Sequence, residues 1–174
     1  MKTLSTLAVL SLTAAAQALT LDVQVGTSRP STPLSGGASA DNSAVIGVGI
    51  GTYLSENSHL GLNVSTRNIV TADPVDATAR TAIIEYTYEL NSNGAIKPFI
   101  GAGVGYAWLK NTDKATALAS DVFAGLRFAV SESVDVTLTA RAHQLYNVDF
   151  SQVAGENNRQ VNSFEALAGL RFKF

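Results

Sequence analysis

The chain has 174 residues, 46% hydrophobic and 15% charged, with Lys+Arg 12 against Asp+Glu 14 for a net charge of −2. That length suits one domain; the composition is too apolar for a disordered chain, too sparsely charged for a helical bundle, and lacks the basic excess that nucleic-acid binding needs. Zero Cys removes disulfides, thiol nucleophiles and Cys-based metal centres, and two His leave little for metal chemistry, so neither a cofactor nor a nucleic-acid partner is expected.

At the start of the chain, Met1, Lys2 and Thr3 give a short positive segment, Leu4 to Ala15 is apolar, and Ala16-Gln17-Ala18 has the small-x-small spacing of a signal cleavage site. Ser5, Thr6, Ser11 and Thr13 interrupt the stretch, which falls short of the roughly 20 apolar residues a spanning helix requires. Residues 1–18 are therefore read as a secretory signal and 19–174 as the mature domain. An exported chain without Cys fits a bacterial envelope protein whose stability does not come from disulfides.

After Leu19 the apolar spacing is two, the period of a strand. Leu19, Leu21, Val23 and Val25 alternate with Thr20, Asp22 and Gln24; Ile46, Val48 and Ile50 with Gly47, Gly49 and Gly51; Leu60, Leu62 and Val64 with Gly61, Asn63, Ser65 and Arg67. Ile84, Tyr86, Tyr88 and Leu90 oppose Glu85, Thr87 and Glu89, and Ile100, Ala102, Val104, Tyr106 and Trp108 oppose Gly101, Gly103 and Gly105. Val122 to Val130, Val134 to Ala142 and Phe164 to Phe174 continue the pattern, setting Asp121, Arg127, Asp135, Arg141, Glu165, Arg171 and Lys173 on the other face. The runs number eight, and their connections alternate in length: long and polar near 29–42, 71–78, 110–117 and 147–160, short at 54–58, 91–97 and 131–133. Long loops at one end and short turns at the other are the layout of a transmembrane barrel, with the short turns in the periplasm.

Which face points inward decides between a soluble and a membrane barrel. The non-apolar face holds glycines and single charges rather than the dense charged coat of a surface in water. Those charges nearly balance: Asp22, Glu85, Glu89, Asp121, Asp135 and Glu165 against Arg67, Arg127, Arg141, Arg171 and Lys173. An eight-stranded barrel is just wide enough for side chains to fill, glycines make room for long ones, and charges confined there must pair. Polar side in and apolar side in lipid is thus the expected arrangement, and closure leaves no backbone edge unpaired in hydrocarbon. Aromatic residues fit two interfacial girdles: Tyr86, Tyr88, Phe128, Phe172 and Phe174 towards the periplasmic ends, Tyr106, Trp108, Tyr146 and Phe164 towards the outer ends.

Three segments carry a family likeness. Lys97-Pro98-Phe99-Ile100-Gly101-Ala102-Gly103-Val104-Gly105-Tyr106 resembles a recurrent strand of small outer membrane β-barrels of the OmpA transmembrane-domain, OmpX and opacity-protein type. Ala124 to Phe128 and Ala168 to Phe174 resemble their Gly-x-Arg-aromatic strand ends. The resemblance implies an all-β, eight-stranded antiparallel up-and-down transmembrane barrel in the outer membrane. It also implies that Leu170, Phe172 and Phe174 form the C-terminal signal read by the barrel assembly machinery. With the sequence ending at the eighth run, no counterpart of the peptidoglycan-binding domain of full-length OmpA is expected.

Other chemistry is weaker. Gly47-x-Gly49-x-Gly51 and Gly101-x-Gly103-x-Gly105 open no helical pattern and so do not cradle phosphate. His143 is the one base near the outer rim, with Asp149 and Ser151 close in sequence, but no catalytic motif of outer membrane enzymes surrounds it. His59 falls at the periplasmic start of its run, and Asp73 and Asp76 read as solvated loop residues rather than a cation site. The chain is expected to be a monomeric non-enzyme in contact with outer membrane lipids and lipopolysaccharide or its equivalent. Its expected role is envelope integrity or surface interaction, with a lumen plugged by the charged residues. A narrow porin-like channel or carrier for small solutes is the alternative.

Overall fold

The computed structural model describes residues 19–30, 42–70, 76–91, 94–110, 115–150 and 156–174; the expected signal at 1–18 and Asp73 lie outside these residues. Eight strands follow one another: β1 (Leu19–Pro30), β2 (Ser43–Tyr53), β3 (Ser58–Val70), β4 (Asp76–Glu89), β5 (Ile96–Lys110), β6 (Thr116–Ala129), β7 (Val134–Phe150) and β8 (Glu156–Lys173). Each pairs antiparallel with its neighbours, and β8 closes on β1, so the sheet is a closed up-and-down barrel. Where β8 meets the start of β1, the Phe174 amide donates to the Leu19 carbonyl at 2.9 Å.

The register fixes the strand tilt. Paired positions lead from Leu19 through Thr52, Leu60, Tyr86, Ala102, Val122, Ala142 and Phe164 back to β1 at Arg29, ten residues beyond the start. With eight strands, that stagger corresponds to a tilt of about 40° and an interior that side chains can fill. The described turn residues 54–57, 90–91, 94–95 and 130–133 lie at the same end of the barrel as Leu19 and Phe174, here the terminus end. Pro30, Ser43, Val70, Asp76, Lys110, Thr116, Phe150 and Glu156 lie at the other end, here the loop end.

Alternation of the two faces is sharp. On β4, Ile83 is 2% exposed and its neighbour Ile84 58%; on β5, Ala107 is 0% exposed and Val104 66%. Val23, Val25, Ile46, Val48, Ile50, Leu60, Leu62, Val64, Val122, Leu138 and Leu170 also face outward. The structure thus has its aliphatic belt outside and Arg67, Glu89, Asp121, Arg127, Asp135, Arg141, Glu165 and Arg171 buried inside, as the period-two reading requires. Tyr86, Tyr88 and Phe174 lie outside at the terminus end, and Tyr106, Trp108 and Phe164 outside at the loop end.

Two expectations need correction. The polar stretch 147–160 is not one long connection: β7 runs to Phe150 and β8 starts at Glu156, with Val148 paired to Arg159 and Phe150 to Glu156. The ladder survives the polar sequence through register irregularities between Leu145 and Val148 and between Val148 and Phe150. Leu145, Val148 and Val161 are buried inside, and their packing keeps this hairpin in register. The interior is also not polar throughout. Towards the loop end, Ala79, Ala107, Leu109, Ala117, Ala119, Leu145, Val148 and Val161 form one apolar cluster with Ile83.

Candidate functional site

Inward-facing positions of all eight strands converge on the lumen, because alternate residues on every strand share that face. Near the terminus end, Arg171 of β8 grips Asp22 of β1 with both a 2.7 Å Nε–Oδ1 and a 3.0 Å Nη2–Oδ2 bond, the two-pronged geometry that suits a guanidinium and a carboxylate. Arg127 of β6 pairs with Glu89 of β4, and Lys173 Nζ lies 3.0 Å from Asp135 Oδ1. Tyr53, at the end of β2, joins these pairs: Arg127 donates to its hydroxyl at 2.9 Å, Arg171 at 3.4 Å, and the hydroxyl donates to Glu89 at 3.0 Å. His59 packs edge-on against Tyr53, with centroids 5.1 Å apart, and its Nε2 meets Thr20 Oγ1 at 2.8 Å.

Farther along the axis, Arg141 of β7 bridges two carboxylates, with Glu85 Oε1 at 3.0 Å and Asp121 Oδ2 at 3.3 Å. Its guanidinium also lies 5.1 Å from the centroid of Phe123, while that of Arg127 lies 5.2 Å from Phe99. The two rings meet edge-on at 6.3 Å, each with one of the two arginines over it. Above them, Arg67 of β3 pairs with Glu165 of β8 across the lumen. Its Nη2 also donates to Ser65 Oγ and Thr81 Oγ1 at 3.2 and 3.3 Å.

All eleven charged residues singled out from the sequence therefore face the lumen, and each has an oppositely charged partner. Gly103 shows what the interior glycines permit. A Cβ there would stand 2.5 Å from Ile83 Cγ2 and 2.7 Å from Asp121 Oδ1, too close for either. Between the layers, a chamber of about 50 Å³ is lined by Asp22, Gln24, Glu85, Arg127, Arg141 and Arg171 among others. That is room for a few water molecules beside charged walls.

The structure also places groups whose site role the sequence left open. His143 is buried at 2% exposure, between Asp121 of β6 and Ser163 of β8 in register, so it lies within the wall of the lumen rather than open on the rim. Ser151 and the side chains of Asp149 and Asp76 lie outside the described residues. Tyr53 and the apolar cluster are the residues that sequence reading missed. Tyr53 sits at the last position of an alternating run, and its inward phase was the available signal.

The model of the outer membrane protein beta-barrel domain matches residues 3–172. The chain belongs to that family. Its members are outer membrane proteins, so the aliphatic belt is the lipid-facing surface and the barrel spans the outer membrane. No curated protein matches the sequence. Among solved structures, Neisserial surface protein A is similar at a TM-score of 0.68 and 16% identity, covering 90% of this chain and 96% of that one. The Yersinia pestis attachment invasion locus protein Ail is similar at 0.54 and 12%, covering 90% and 98%. The outer membrane enzyme PagL is similar at 0.54 and 16%, covering 86% and 97%. At such identities the likeness is one of fold, and an enzyme stands among the barrels that share it.

Proposed function

We propose that this protein is a monomeric, non-enzymatic outer membrane barrel with a closed lumen, serving envelope integrity or surface interaction, with its loop end outside the cell. The observation that carries the closed lumen is the stacking of two unlike layers: ion pairs knitted by Tyr53 at one end and the apolar Ala79–Leu145–Val161 cluster at the other. A permeating ion would have to displace a paired arginine and then shed water beside alanines and valines, and both steps are costly in a confined space. Residues 1–18 act in this reading as the export signal, and Leu170, Phe172 and Phe174 as the strand end that the assembly machinery reads. The non-enzymatic part of this reading is supported by His143, the rim base suggested by the sequence, being buried in the lumen wall.

Planar-bilayer recording tests the closed lumen. The expected trace shows no steady conductance steps, whereas regular ion-selective steps would favour a narrow channel through the hydrated chamber. Envelope and surface roles separate in a deletion strain complemented with a barrel whose 31–42 connection is replaced by a short turn. Restored detergent resistance marks a role carried by the barrel, and lost surface binding marks one carried by the connection.

A further inference from the structure

The lumen charges fall into two groups that do not balance equally. Towards the terminus end, Asp22, Glu89 and Asp135 are matched one to one by Arg171, Arg127 and Lys173. In the layer above, the cations among the described residues are Arg67 and Arg141, and the acids they meet are Glu85, Asp121 and Glu165. Arg67 is taken by Glu165, which leaves Arg141 to serve both Glu85 and Asp121. With every acid ionised, this layer would carry one uncompensated negative charge, enclosed between the apolar cluster and the Tyr53 network. A buried charge without its counterpart is costly.

The backbone brings the two acids together. Glu85 of β4 and Asp121 of β6 are both register partners of Gly103 on the strand between them, so no side chain separates them. A Cβ at Gly103 would stand 2.7 Å from Asp121 Oδ1 and 3.0 Å from Glu85 Cγ. Asp121 is buried, and neither of its oxygens accepts a hydrogen bond among the described residues; Oδ2 has the 3.3 Å ion-pair contact with Arg141. The charges acting on Asp121 are Arg141 of β7, Glu165 of β8 and Arg67 of β3. Those acting on Glu85 are Arg141, Asp121, Asp22 of β1 and Arg171 of β8. On β2 and β5 the inward positions at this level are glycines, Gly47 and Gly49 on one and Gly103 and Gly105 on the other. His143 is the register partner of Asp121, but its ring nitrogens make no hydrogen bond among the described residues, so it does not act as the missing cation. Two carboxyls that share one cation in a closed site do not both ionise cheaply, and a proton is a counter-charge that needs no room.

We propose that Glu85 and Asp121 share one proton across Gly103 in the folded barrel at neutral pH, taken up from water on folding. This inference rests on the closed lumen proposed above, because water entering the layer would solvate the excess charge. The folded barrel then holds a proton that the unfolded chain, with both carboxyls in water, has released. Stability therefore falls as pH rises through the range in which the pair gives that proton up, by as much as about tenfold in the folded-to-unfolded ratio per pH unit.

Infrared spectra of the full mature chain, folded in an ester-free detergent at neutral pH, test the proton directly. The expected band is the carbonyl stretch of a protonated carboxylic acid, shifted in heavy water and lost at alkaline pH, and it needs no variant to fold. E85Q and D121N should each abolish the band and remove this pH dependence from urea unfolding, while H143Q should keep both. Absence of the band from a barrel that conducts no ions would overturn the shared proton and leave the closed lumen standing. Absence of the band together with steady conductance would overturn both. A band that survives in E85Q and in D121N would put the proton elsewhere and overturn the pair, as would loss of the pH dependence in H143Q alone.

Discussion

Arg141 is the most demanding single position in the lumen, because one guanidinium serves two carboxylates, Glu85 and Asp121, and lies over Phe123. Arg141→Met keeps much of the side-chain volume but leaves both acids facing each other without a cation. Breaking a buried pair by removing one partner costs about 3–5 kcal/mol, a drop of between roughly a hundredfold and a few thousandfold in the folded-to-unfolded ratio. The loss comes mainly from the stranded acids, not from the missing arginine. Removing all three charges together, as Arg141→Met with Glu85→Gln and Asp121→Asn, should therefore recover most of the loss. Urea unfolding in lipid vesicles measures both variants. Trp108, the one tryptophan, reports on leaving lipid for water, and the heated-against-unheated gel shift reports closure. A single variant within about 1 kcal/mol of the parent, or a triple variant as unstable as the single, would refute the reasoning.

Val104 faces lipid near mid-height, so Val104→Arg should cost about 2–4 kcal/mol in the same unfolding assay, while Glu132→Arg in a terminus-end turn should change it little. Gly103→Val would press on Ile83 and Asp121 and should cost about 1–3 kcal/mol, read as a lowered urea midpoint with unchanged slope. Glu89→Ser with Arg127→Ser opens only the layer near the terminus end; bilayer conductance should stay absent until Leu145→Ser and Val161→Ser are added. N-terminal sequencing of protein recovered from outer membranes should begin at Leu19.

Most of the architecture was legible because a barrel wall between lipid and a filled lumen imposes period two on every strand, and one slip would turn a strand inside out. Ile84, Val104 and Val122 outside, with Glu85, Asp121 and Arg127 inside, follow from that phase alone. Pairing was not legible. Arg67 meets Glu165 and Arg141 meets Glu85 and Asp121 only through the stagger of ten residues around the barrel, which no single run encodes. The apolar layer was hidden because Ala117, Leu118 and Ala119 are apolar on both faces, and alternation disappears where inside and outside are alike. The β7–β8 hairpin was read too short for a related reason. Its continuation depends on Leu145, Val148 and Val161 packing inward across irregular register, a tertiary effect that polar composition conceals.

The central claim is that the aliphatic face looks into lipid, and the Cys-free sequence allows it to be measured without background labelling. Spin labels at Val48Cys, Val104Cys and Val122Cys, on three different strands, are compared with one at Glu132Cys for collision with oxygen and with a water-soluble nickel chelate. The account predicts that oxygen, which partitions into hydrocarbon, reaches the three valine positions far better than the chelate, with the reverse at Glu132. Chelate access at all three valine positions in reconstituted membranes would contradict it.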